Sequence, residues 1–178
     1  ECRWACEFNL SDNISYIGDS WYSNSSDIPN FTGVVHIPSK LKRIPQGLYA
    51  GMGANANFVG NIEITQGVTE IGDAAFSHLF LKNRIDLILP VGMKKIGNYA
   101  FGQIRFSSLL FNDDLEHIGN CAFLGCDMPF QINLPTELTQ IGENAFWGSK
   151  LEGELIIPEK CLNIGQYAFS GCSLSKLV

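Results

Sequence analysis

Asp113, Asp114, Glu116 and His117 lie within five consecutive positions. Carboxylates and an imidazole this close are the raw material of a divalent-metal site. Equivalent points elsewhere in the chain carry Thr136-Glu137 and Glu159-Lys160. The cluster therefore reads as a solvated polar turn. The three histidines, His36, His78 and His117, fall at three different places in the chain's internal rhythm, so they converge on no shared pocket. No Gly-x-Ser-x-Gly, His-Glu-x-x-His or phosphate-loop pattern occurs. The residues offer no catalytic group and no metal site, and they imply no cofactor and no enzyme.

Composition narrows the remaining classes. Hydrophobic residues make up 46 % of the 178 and charged residues 17 %, which supplies a core and argues against disorder. Net charge is −6, and the longest basic run is Lys94-Lys95. That excludes the electrostatic footprint of a nucleic-acid binder. No apolar run reaches the roughly 18 residues of a membrane span. The chain opens Glu-Cys-Arg-Trp, without a visible signal peptide, as a mature, trimmed or fragmentary form would.

The elements that position these residues follow from a repeat. Ile-Gly-x-x-Ala-Phe recurs unchanged at Ile71, Ile96, Ile118, Ile141 and Ile164, in steps of 25, 22, 23 and 23 residues. Upstream of each isoleucine stand two apolar residues separated by one, at offsets seven and nine, as in Leu87 and Leu89 or Leu155 and Ile157. Proline follows in three of the five copies, as Pro90, Pro135 and Pro158, and Asn112 and Thr65 replace it in the other two. Such a segment reads as a short strand that then stops. Weaker copies centre on Ile44, with Leu48-Tyr49 for Ala-Phe, and on Ile17, with Trp21-Tyr22. A period in this range marks a solenoid of about seven stacked repeats of 22–27 residues, each burying its apolar side only against its neighbours. Each buried side chain contributes roughly 1.5–3 kcal/mol. Glycine serves a tight corner or a close approach between coils. One strand per repeat forms a parallel sheet, with loops and short helical turns elsewhere. Residues 1–33 read as an atypical first repeat and N-terminal cap, and 34–178 as the array continuous with it.

The cysteines fit this ruler. Cys161 occupies an apolar column held elsewhere by Leu115 and Leu138, and reads as a small core residue. Cys126 and Cys172 share a column two units apart, about 9.6 Å by the strand spacing, beyond the reach of a bridge. Cys2 and Cys6 are close enough for a local bridge, and the alternative is two free thiols. Four Asn-x-Ser/Thr sequons, at Asn9, Asn13, Asn24 and Asn30, either carry sugar or mark an Asn/Ser-rich surface.

The pattern L-x-L-P-x-x-L-x-x-I-G-x-x-A-F-x-G-C, best seen from Leu155 to Cys172, resembles the BspA-type leucine-rich repeat. The resemblance covers Val34 to Val178 most clearly. It implies a right-handed, leucine-rich-repeat-like solenoid with a strand on one face, and a surface or secreted protein that adheres to host proteins or to other cells. It carries over no catalytic residue, because its motif consists of packing positions. The implied localisation is extracellular or at the cell surface.

In a strand, alternate side chains face opposite sides. With offsets seven and nine inward, offsets eight and ten face out. Ile88, Leu110 and Ile156 then form an exposed apolar stripe, interrupted by Asn133 and edged by Asp86, Gln131 and Glu154. A polar-rimmed apolar patch is the usual form of a protein-binding site. Trp147 stands in a column of mostly small residues, either as an interface anchor or as a cover over a neighbouring loop. The expected partner is a host or cell-surface protein. Carbohydrate is the alternative, through exposed aromatics, and nucleic acid is excluded. Both ends of the chain lie within the repeat rhythm, so end-to-end self-association through an open strand edge is also expected.

Overall fold

The computed structural model describes residues 10–19, 32–50, 59–79 and 81–178. Most of the expected N-terminal cap, three of the four sequons (Asn9, Asn24 and Asn30) and the Cys2–Cys6 pair lie outside these residues. In chain order the strands are β1 Thr32–His36, β2 Arg43–Ile44, β3 Val59–Glu63, β4 Glu70–Ile71, β5 Ile85–Ile88 and β6 Lys95–Ile96. There follow β7 Phe106–Leu110, β8 His117–Ile118, β9 Gln140–Ile141, β10 Glu152–Leu155, β11 Asn163–Ile164 and β12 Ser173–Leu177. Every pairing is parallel, and each joins one coil to the next. The protein is a parallel β-solenoid.

The continuous sheet is not the expected one. It consists of the two-residue strands that end on the repeat isoleucine, in the order β11-β9-β8-β6-β4-β2. Six copies contribute, from Ile44 to Ile164, with each isoleucine in register with the next. The longer Leu-x-Leu strands pair only two by two, as β1-β3, β5-β7 and β10-β12. Residues 131–135, where another strand was expected, form none. The cause is local. Arg105 bridges Asp127, 22 residues on, whereas the repeat ruler aligns Leu110 with Asn133, 23 residues on. One extra residue thus falls between Asp127 and Ile132, in a stretch that contains Pro129, which has no amide to donate.

The core is a set of ladders. Tyr49, Phe76, Phe101, Phe123, Phe146 and Phe169 stack in one column, with ring centroids 5.5, 5.3, 5.3, 5.1 and 5.4 Å apart and planes within 13° of parallel. The five rings from Tyr49 to Phe146 are fully buried. The Tyr49 hydroxyl donates to the His36 carbonyl at 2.9 Å. Backbone ladders run beside the rings: the amides of Phe76, Phe101, Phe123 and Phe146 each donate to the alanine carbonyl of the next coil at 2.7–2.8 Å.

Glycine in Ile-Gly is required by close approach, not by a special backbone angle. A Cβ at Gly72, Gly119, Gly142 or Gly165 would stand 2.3–2.7 Å from main-chain atoms of the preceding coil. Left-handed backbone occurs elsewhere. Three residues after each isoleucine stand Gly47, Ala74, Tyr99, Cys121, Asn144 and Tyr167, all at φ between 53° and 65°. Seven after it stand His78, Gln103, Gly125, Gly148 and Gly171, again at positive φ. Two left-handed residues per coil stop a right-handed helix from propagating. Accordingly, the expected helical segments are turns, and no helix occurs among the described residues.

Candidate interaction surfaces

On the Leu-x-Leu side the inward and outward positions alternate as the pattern requires. Leu87, Leu89, Leu109, Ile132 and Leu155 are buried. Ile88, Leu110 and Ile156 are 64 %, 55 % and 61 % exposed, which puts three large apolar side chains in solvent on one side of the chain. Ile88 and Leu110 are direct neighbours in the β5-β7 register. Beside them on the same face Ser108 donates to Asp86 at 2.6 Å. Ile156 lies beyond the coil that forms no strand, so the stripe is continuous only at the Ile88–Leu110 pair.

Gln131 and Asn133 are exposed on the irregular coil, and no backbone amide from Gln131 to Leu134 finds a backbone acceptor among the described residues. This coil and the next enclose an open cleft of about 240 Å³, lined by Ile132, Leu134, Ile156 and Pro158 with Asn133 and Glu154 at its rim. Glu154 accepts from Lys176 at 2.9 Å. Trp147 is 48 % exposed and sits on the turn after Phe146, not on the strand face.

The acidic cluster around His117 is divided among contacts between coils. Asp114 accepts the Gly92 amide at 2.9 Å, and Glu116 accepts from Lys94 at 2.8 Å. That ion pair holds the Glu116 carboxyl below its ordinary range and raises the Lys94 ammonium. Cys126 is buried and donates to the Phe101 carbonyl at 3.0 Å; burial pushes its thiol up to about 12. Cys126 and Cys172 are both free thiols, with Ser149 between them in their column.

The opposite, continuous sheet carries a second polar arrangement that the sequence reading missed. Two residues after the seven isoleucines stand Asp19, Gln46, Asp73, Asn98, Asn120, Glu143 and Gln166. The side-chain oxygens of Asp19, Asp73, Asn98 and Asn120 each accept the backbone amide of the equivalent residue one coil on, at 2.8 Å every time. The signal was present as a recurrence of Asp or Asn at one offset. The Asp19 contact also seats residues 10–19 on the stack as the end of a unit centred on Ile17, which packs against the core.

A second file runs beside it: Arg43, Glu70, Lys95, His117 and Gln140. Asp19, Arg43, Glu70 and Lys95 alternate in sign at 2.8, 3.6 and 3.3 Å. Between the two files lies an open groove of about 480 Å³.

Six copies of a repeat described as the BspA type leucine rich repeat region match residues 1–56 and 54–176. The chain belongs to the BspA-type leucine-rich repeat family. Neither the curated proteins nor the solved structures contain a significant match. Proteins of this family are generally non-enzymatic binding scaffolds, typically protein-interacting. Among the described residues no helix is long and apolar enough to cross a membrane.

Proposed function

We propose that this BspA-type repeat protein is a non-enzymatic, secreted or cell-surface adhesion module that docks a protein partner on the Leu-x-Leu face. The observation that carries the reading is the Ile88–Leu110 pair. Two large apolar side chains stand side by side in solvent on a hydrogen-bonded parallel pair, above a buried core that does not need them. Asp86, Gln131 and Glu154 supply the polar rim, and Asn133 and Ile156 line the adjoining cleft. Trp147 serves as a separate anchor on its turn.

The test compares capture from host or community surface extract by the native protein and by an Ile88→Ser, Leu110→Ser double variant. Loss of one specific bound species at an unchanged melting temperature supports the reading. Capture of the same species in the same amount removes the face from consideration.

A further inference from the structure

We propose that the groove on the continuous sheet is a second binding site, for a linear neutral glycan lying along the stacking axis. This site is separate from the Ile88–Leu110 face. Its walls are Lys95, His117 and Gln140 on one side and Asp73, Asn98 and Asn120 on the other. Lys95, His117 and Gln140 are consecutive partners in the β6-β8-β9 register, so polar side chains follow one another every ~4.8 Å along the axis. A groove built from successive coils suits a ligand that itself repeats. Ile96-Gly97 and Ile118-Gly119 complete its lining.

The chemistry of the walls selects the class. The formal charges are satisfied within the protein: Lys95 pairs with Glu70 at 3.3 Å, and Asp73 takes the amide and the side-chain nitrogen of Asn98 at 2.8 and 3.1 Å. What remains uncommitted is neutral or ambivalent. Neither the His117 ring nor the Gln140 carboxamide has a hydrogen-bond partner among the described residues. Asn120 must present its Oδ1 to the Glu143 amide, which orients its Nδ2 as an unused donor. Groups that both donate and accept match hydroxyls, which do the same. No Phe, Tyr or Trp ring lines the groove, so binding is weak and rests on hydrogen bonds rather than stacking.

Titration of the isotope-labelled full chain with linear neutral glucose and mannose hexasaccharides, α- and β-linked, followed by amide chemical shifts, tests this. At millimolar sugar, at least one oligosaccharide should move the amides of 95–98, 117–120 and 140. Two variants carry the argument. His117→Ala with Gln140→Ala removes exposed side chains. Asn120→Asp keeps the acceptor that holds Glu143 while deleting the free donor. Each should weaken binding by about tenfold, as expected for losing hydrogen-bonding groups from a polar site. Ile88→Ser with Leu110→Ser should leave sugar binding unchanged, which separates this site from the protein-docking face. The proposal is overturned by the absence of shifts with every hexasaccharide, by shifts confined elsewhere, by equal affinity in both groove variants, or by binding only of charged polysaccharides.

Discussion

A methyl group added at Gly142 would meet the Asn120 amide nitrogen at 2.4 Å and the Gly119 carbonyl carbon at 2.5 Å. Both are main-chain atoms already committed to ladders, so neither can yield. Gly142→Ala should cost about 3 kcal/mol, read as a lower urea midpoint. Gln103 carries a side chain at φ 67°, where three equivalent coils place glycine. Gln103→Gly relieves that left-handed cost and should stabilise by about 0.5–1 kcal/mol in the same experiment. The buried Cys126 thiol should resist iodoacetamide at mildly alkaline pH while the chain is native, and react once it is unfolded, as peptide mass mapping would show. At this scale the sequence was informative where a residue type recurs. The isoleucines, alanines and phenylalanines announced their burial. The left-handed column did not, because Ala74, Tyr99, Cys121 and Asn144 share a backbone angle and no side-chain property.

The strands divide into two kinds, and only one was legible. Alternation in Leu-x-Leu identified which side chains face inward, and Leu87, Leu109 and Leu155 are buried accordingly. Alternation says nothing about whether neighbouring strands keep their hydrogen bonds. The break at 131–135 coincides with an extra residue near Pro129, yet β5-β7 and β10-β12 keep their pairing across a similar shift. The two-residue strands at the isoleucines are too short to have a period, although they form the one unbroken sheet. The ring column binds the coils more directly than either. Phe123 stacks between Phe101 and Phe146 and meets Phe106 and Phe111 edge-on at 6.3 and 5.9 Å. Phe123→Ala should therefore cost about 3–5 kcal/mol in equilibrium unfolding. Both proposed surfaces lie across these elements, and their residues are visible in the sequence only after the units are aligned.

For the whole molecule, the repeat made the architecture readable from the sequence alone, while the groove emerged only when coils were set one above another. Buried protons make stability depend on pH at the alkaline end. Burial raises the Cys126 thiol from an ordinary 9.0 to about 12 and raises the Tyr49 phenol above its ordinary 10.0. An unfolded chain releases these protons first, so it binds fewer of them than the native state above about pH 9. Stability is then undiminished below that pH and falls as pH rises further, and melting temperatures measured between about pH 8 and pH 11 should decline. The parallel register has a mechanical side as well. Every coil is fastened to the next through ladders that run along the axis. Tension along that axis loads the coil-to-coil seams in series, and each seam that yields frees a single turn of chain. Drawn out between two handles, the protein should lengthen in a regular staircase of roughly 80 Å per step, the contour of one 23-residue repeat.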